Sequence, residues 1–500
     1  MEKCRYDEVK LHGESVLKKS NKIEWIPFLR QLLVCSGVWT SVFLYGLCVG
    51  APTVYIPQIR REANNTSIIS DDMASWLTSA YSFSGFPFVL ILSIVTRFVG
   101  RKIPFIIAVL DSLAAFILLY CSSNINHILI SAFMQGLHTA AQNVISIMIL
   151  TEYTSPKYRG IFLTFKSATF YWGIWASNAI GTFFHWKMIP LFGIACAMYT
   201  LLTMLVWPES PFWLASRGKF EECAAAHRRL RGCDEESEKE LEALINSQKE
   251  YIASCDTTRQ SAIERVTDFF RTVKSQEFYK PTFLSILTVS LGLFSGKLVF
   301  ALYAIDIIKK ITDSESTAYM AMLVLDGITV LSMYGGSILS KFLKRRVLLL
   351  SSSTITVVFL LTLSLYLYLI KLSVITENKY LSITLLVSFS ISVSCGPMIM
   401  SFSVYGELIP VRSRNLSVCF IALIGKIITS VTLKLAPLMF RTLGLHGAFL
   451  SFAVCTSIFI LLLYKYLPET KDKTLQEIAD SIKGTKSKKS QASTLLVHDA

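Results

Sequence analysis

The sequence predicts an all-α polytopic membrane protein with twelve spans in two pseudo-symmetric six-helix halves. Three observations predict it: apolar runs of span length, a one-sided distribution of basic residues, and a set of motifs that occurs twice in the same order.

The chain has 500 residues, of which 52% are hydrophobic and 17% charged, and a mean hydropathy of +0.50. A soluble chain carries about a quarter charged residues. The shortfall is concentrated in runs of about twenty apolar residues, the length at which a helix crosses a ~30 Å hydrocarbon layer. These runs place six spans at 32–51, 76–95, 103–121, 128–150, 161–181 and 188–207. Six more fall at 282–308, 317–339, 347–370, 380–405, 416–437 and 447–467.

An even number of spans leaves both termini on one side. Most of the 49 lysines and arginines fall on segments of that side, and the positive-inside rule makes it the cytosol. The net charge of +14 therefore reports topology, not a nucleic-acid partner. The predicted partners are a small-molecule solute and the lipid bilayer. Residues 1–30 are basic without an apolar core and read as a cytosolic tail, not a signal peptide. The first half then covers 31–208, a polar linker of short surface helices 209–280, the second half 281–468, and a basic cytosolic tail 469–500.

Most of the eleven cysteines sit in apolar runs and read as small packing residues. No spacing suggests a metal site, and no cofactor motif, nucleophile–base grouping or phosphate-binding loop appears, which argues against an enzyme or an ATP-driven machine. Two sequons, at Asn64 and Asn65, fall in the loop after the first span, on the predicted external side, where either can accept a glycan. They favour a plasma-membrane location.

The repeat is carried by short motifs at span ends. "TRFVGRK" (96–102) after the second span is echoed by "SKFLKRR" (340–346) after the eighth. Glu152 precedes Arg159 by the same interval at which Glu407 precedes Arg414, after the fourth and tenth spans. "PES" (208–210) closes the sixth span and "PET" (468–470) the twelfth. Such duplication marks transporters built from parallel repeats that rock about a central site. Arg97, Gly100, Arg101, Glu152, Arg159 and Glu209, with Arg345, Arg346, Glu407, Arg414 and Glu469, are the predicted conformational latch. Its arginines are expected to meet carboxylates across the line between the halves.

On these motifs the chain resembles the sugar-porter branch of the major facilitator superfamily, which includes glucose-type carriers and insect facilitated trehalose transporters. "PESPFWLASRGKFEEC" (208–223), "PETKDKTLQEI" (468–478) and "EYTSPKYRG" (152–160) carry the likeness. Departures are local: Phe212 stands where the family has arginine, Asp472 where it has glycine, and Thr96 and Ser340 where it has an acid. The resemblance implies alternating-access transport of a sugar, a hexose or a disaccharide such as trehalose, by uniport or with a proton.

The sugar-contacting positions differ more. Ser167 replaces the family's glutamine, "GLFSGKL" (292–298) keeps only Ser295 and Gly296 of the usual pattern, and "GPMIM" (396–400) lacks the tryptophan. Gly425 and Lys426 take the place of an asparagine–tryptophan pair. A sugar site needs planar amides and an aromatic face. Candidate substrate contacts are therefore Ser167, Ser295, Lys297, Lys426, Gln142, Asn143 and Trp172.

Four lysines, Lys166, Lys297, Lys426 and Lys434, lie within spans, where an ionised lysine costs ~3 kcal/mol and usually faces a cavity or a partner. Three uses stand open: structural partners of acids or carbonyls, with a Lys297–Asp326 pair at matching depth; snorkelling stems; and a cationic lining for an anionic solute. Three functions follow: a sugar carrier, a receptor that kept the fold without transport, and an organic-anion carrier.

Overall fold

A computed structural model describes residues 25–63, 69–256, 271–312, 315–408 and 414–471, and no strand occurs among them. Ten helical segments there are long and apolar enough to cross a membrane. Two further helices, Ile125–Tyr153 and Pro156–Phe183, have 29 and 28 residues, so ten and two give the twelve spans. These two are the fourth and fifth spans. His138, Gln142 and Asn143 dilute the hydropathy of the one, and Lys166 and Asn178 that of the other.

The first half comprises Trp25–Glu62, Asp71–Val99, Lys102–Tyr120, Ile125–Tyr153, Pro156–Phe183 and Met188–Val206. Pro211–Ser216, Phe220–Arg231 and Glu235–Asp256 are short helices of the linker. In the second half the seventh span is built from Gln276–Phe294, Lys297–Leu302 and Ala304–Thr312. Glu315–Phe342 and Arg345–Lys371 are the eighth and ninth. The tenth joins Lys379–Val393 to Ile399–Leu408, and Arg414–Thr442 and Gly444–Tyr466 complete the set. Helices overrun the predicted apolar runs, the first reaching 38 residues. Hydropathy marks only the part in hydrocarbon, whereas the helix continues into the headgroups.

Packing repeats as the motifs do. The first span lies on the fifth, the second on the fourth and the third on the sixth; the seventh lies on the eleventh, the eighth on the tenth and the ninth on the twelfth. The halves meet where the second span packs on the eleventh and the fifth on the eighth. That pattern maps onto itself when spans one to six exchange with seven to twelve, the packing expected of a duplicated half. Outward-facing Ile94, Leu205, Leu331 and Leu461 are exposed and form the apolar belt a bilayer covers.

Two breaks shape the second half. Gly296 adopts φ +80° between the first two segments of the seventh span, a left-handed conformation that favours glycine. In the tenth span Pro397 lies in a π-helical turn, Ser394–Met398, where the missing N–H and the ring displace the regular ladder. Irregular backbone at membrane depth is tolerated where protein or a cavity surrounds it.

Candidate functional site

At the face carrying the linker, the duplicated acids bind backbone. Glu209 accepts from the amide N–H groups of Arg101 (2.9 Å) and Ser210 (2.9 Å) and lies 3.3 Å from the nitrogen of Lys102. Glu469 accepts from the amides of Arg345 (3.1 Å), Arg346 (3.2 Å), Thr470 (3.1 Å) and Lys471 (3.0 Å). Each acid thus caps the first turn of the third or the ninth span, where unpaired N–H groups and the helix dipole favour an anion. Gly100 is tied to this contact, because a β-carbon there would run into the Glu209 carboxylate.

Arg101 is fully buried and holds Glu152 with two hydrogen bonds, 3.2 and 3.1 Å, while its third nitrogen donates to the Thr96 carbonyl at 2.6 Å. Ser210 donates to the same Glu152 at 2.5 Å. Arg97 is exposed and offers its carbonyl to Trp213 at 3.0 Å. Arg346 donates to the Tyr464 carbonyl at 2.5 Å. Arg159 sits half-buried in the first turn of the fifth span. Arg101–Glu152 and both acid caps join spans of the same half, so the expected contacts across the line between the halves are not among these. The reason is geometric, since the second–third span turn of each half lies beside the end of its own sixth span. The side chains of Glu407 and Arg414 lie outside what the structure describes, as do Asn64 and Asn65.

Hydrogen bonds between the halves are grouped at mid-depth and toward the opposite face. Thr53 donates to the Leu302 carbonyl (3.1 Å), Thr78 meets the Tyr303 hydroxyl (3.1 Å), and Ser75 donates to the Lys434 carbonyl (3.0 Å). Lys434 pairs with Asp72 at 2.7 Å and lies 4.2 Å from the Trp76 ring centroid. Asn178 donates to Asp326 across the halves at 2.7 Å.

On the linker side of this seal, a cavity with about 1160 Å³ of space, part of it continuous with solvent, lies between the halves. The first half lines it with Tyr45, Gln142, Asn143, Lys166, Ser167, Phe170 and Tyr171; the second with Val289, Leu298, Met398, Tyr405, Lys426 and Thr429, among others. Ile147 and Tyr405 carry the lining to within about two helical turns of the linker-face ends of their spans.

Of the predicted contacts, Ser167, Gln142, Asn143 and Lys426 line the cavity. Lys426 donates to the Thr139 hydroxyl at 2.7 Å, with its ammonium 5.5 Å from the rings of Tyr45 and Tyr81. Lys166 donates to the Gln142 carbonyl at 3.1 Å. Gln142 donates to Ser41 at 2.6 Å and, with buried His138, ties the fourth span to the first.

Three predicted contacts fall outside the lining. Ser295 donates to the Gly292 carbonyl at 2.6 Å, at the break in the seventh span. Lys297 is buried against Ser390, 2.8 Å away. It makes no direct ion pair with Asp326, although the charges stay within Coulombic reach; the turn at Gly296 aims Lys297 at the tenth span. Trp172 donates to the Tyr334 hydroxyl at 3.1 Å, on the seam between the fifth and eighth spans. Its neighbours Phe170 and Tyr171 supply the aromatic wall, joined by Tyr45, which sequence reasoning missed. The only signal for Tyr45 was an aromatic in the middle of an apolar span.

Two six-span halves around a shared cavity define a membrane protein with the major facilitator fold. The family model described as "Sugar (and other) transporter" matches residues 34–481, and the chain belongs to that family of transporters. It is 24% identical over 465 residues to the "Facilitated trehalose transporter Tret1-1" of Drosophila simulans, covering 89% of this chain and 52% of that protein. It is 24% identical over 456 residues to the "Facilitated trehalose transporter Tret1-2 homolog" of Drosophila sechellia, covering 89% of this chain and 90% of that one. The chain thus spans about half the length of the first of these relatives. Among solved structures, the proton:xylose symporter XylE bound to 6-bromo-6-deoxy-D-glucose superposes with a TM-score of 0.73 at 15% identity, over 92% of this chain and 100% of that one. The inward-open XylE from E. coli gives 0.67 at 13% identity, over 90% and 99%.

Proposed function

We propose that the protein carries a sugar-class solute across the plasma membrane by alternating access, with the linker face and both termini cytosolic. One observation carries this reading: a cavity walled by both halves has hydrogen bonds between the halves on its far side, Thr53 to the Leu302 carbonyl and Thr78 to the Tyr303 hydroxyl. The moving bodies are 31–208 and 281–468. Their span-end acids and the Arg101–Glu152 pair keep each body rigid, so that rocking opens one face as it closes the other. The printed names of its relatives, facilitated trehalose transporters and a proton:xylose symporter, support a sugar as solute and a proton as a coupling ion.

The test is uptake of labelled glucose and trehalose into vesicles holding the purified full chain, with and without an inward proton gradient. Saturable uptake is expected. A disulfide joining Thr53→Cys to Leu302→Cys across the seal should stop it, and reduction should restore it. Uptake that continues with that disulfide formed refutes alternating access; a gradient that drives no accumulation makes the carrier a uniporter.

A further inference from the structure

The four lysines within spans divide into two kinds. Lys434 is ion-paired with Asp72 at 2.7 Å, and Lys297 has Asp326 within Coulombic reach. Lys166 and Lys426 have no carboxylate partner among the described residues, and these are the two that line the cavity. Among the described residues, no aspartate or glutamate lines it.

Their placement is specific. Lys426 reaches the hydroxyl of Thr139 and Lys166 the backbone carbonyl of Gln142, so both ammonium groups are tied to the fourth span. Each lysine comes from a different half, and each gives one of three N–H donors to the protein. Two lysines, one from each half, line one cavity walled by Phe170 and Tyr171 with no carboxylate among its described lining residues, a site whose electrostatics an anion completes. A neutral sugar offers the two ammonium groups no counter-charge.

We propose that the solute is a hydroxylated organic anion, a sugar ring bearing an acidic group, with its negative oxygens between Lys166 and Lys426. The ring lies against Tyr45, Phe170 and Tyr171, and the amides of Gln142 and Asn143 face its hydroxyls. Because each half supplies one lysine, the anion draws the halves together, which couples binding to closure of the linker face. This inference rests on the carrier reading and narrows its substrate.

The experiment compares D-glucose with D-glucuronate and D-glucose 6-phosphate, in uptake by vesicles and in thermal stabilisation of the purified full chain. At least one anion is expected to enter about tenfold more efficiently than glucose, and the better of the two distinguishes carboxylate from phosphate recognition. Lys426→Gln and Lys166→Gln should each lower the anion-to-glucose ratio about tenfold or more, and Lys426→Arg should retain most of it. Equal or better uptake of glucose, with the ratio unmoved by either glutamine variant, overturns the anion site and leaves the carrier standing. Lysine-dependent stabilisation by an anion without uptake of any solute upholds the site and overturns the carrier. Neither uptake nor stabilisation by any of the three overturns both.

Discussion

Replacing Glu152 by Gln tests whether the span-end charges clamp one half or latch two. Arg101 is 1% exposed and directs three nitrogens at Glu152 and the Thr96 carbonyl. Neutralising Glu152 leaves a dehydrated guanidinium without a counter-charge, a loss of about 3–5 kcal/mol. If the first half unfolds as a unit, at about 2–4 °C per kcal/mol for a body of this size, the melting temperature falls by about 6–20 °C. The double variant Arg101→Met with Glu152→Leu removes both charges and should melt well above the sum of the single effects, a coupling of about 2 kcal/mol or more. Thermal unfolding of the detergent-purified chain, followed by tryptophan fluorescence, reads the wild type, Glu152→Gln, the single variants Arg101→Met and Glu152→Leu, and the double variant. Because the pair is buried, adding salt should barely change the difference. A Glu152→Gln protein that melts within a degree or two of the wild type, yet shifts the solvent access of the cavity, refutes the clamp and restores a latch between halves.

The acid caps make a matched pair: Glu469→Gln should weaken the start of the ninth span as Glu209→Gln weakens the third, each by about 1–2 kcal/mol. Unequal effects, severalfold apart in hydrogen-exchange protection of those first turns, would deny the equivalence. Gly46 and Gly173 bring the first and fifth spans into contact, and a β-carbon on Gly46 would land on the Phe170 carbonyl. Gly46→Ala should therefore destabilise by about 1–3 kcal/mol, read as a lower melting temperature, and an unchanged melting temperature would show those spans to be farther apart. In the linker, burial, reinforced by Arg231, pushes the His227 imidazole down to about 4 from its ordinary 6.5. The unfolded chain then binds the proton first as pH falls, so the linker's stability is full above about 6.5 and is lost progressively toward about 4. Limited proteolysis across that range should show cleavage in 220–256 rising as pH falls, and His227→Leu should flatten the rise; parallel curves would exclude the histidine.

The sequence by itself determined the architecture, because span length, positive charge and repeated motifs are local properties of the chain and the bilayer forces them into helices. The fourth and fifth spans show the limit of hydropathy. Their polar residues lower the signal because they face protein and cavity instead of lipid, so a weak span marked the functional wall. Lys426, Gln142 and Asn143 were legible as cavity residues, since an ion or amide in hydrocarbon must face something polar. Lys297 and Trp172 obeyed the same rule with other partners, Ser390 and Tyr334. Which polar residue meets which depends on helix rotation and on the break at Gly296, and no periodicity records either. The repeated acids were visible, but their target was not: carboxylates that bind amides and carboxylates that bind arginines look alike in sequence. Only the tertiary structure decided that Glu209 and Glu469 bind the backbone of their own halves, and that hydrogen bonds such as Thr53 to the Leu302 carbonyl join the halves on the far side of the cavity.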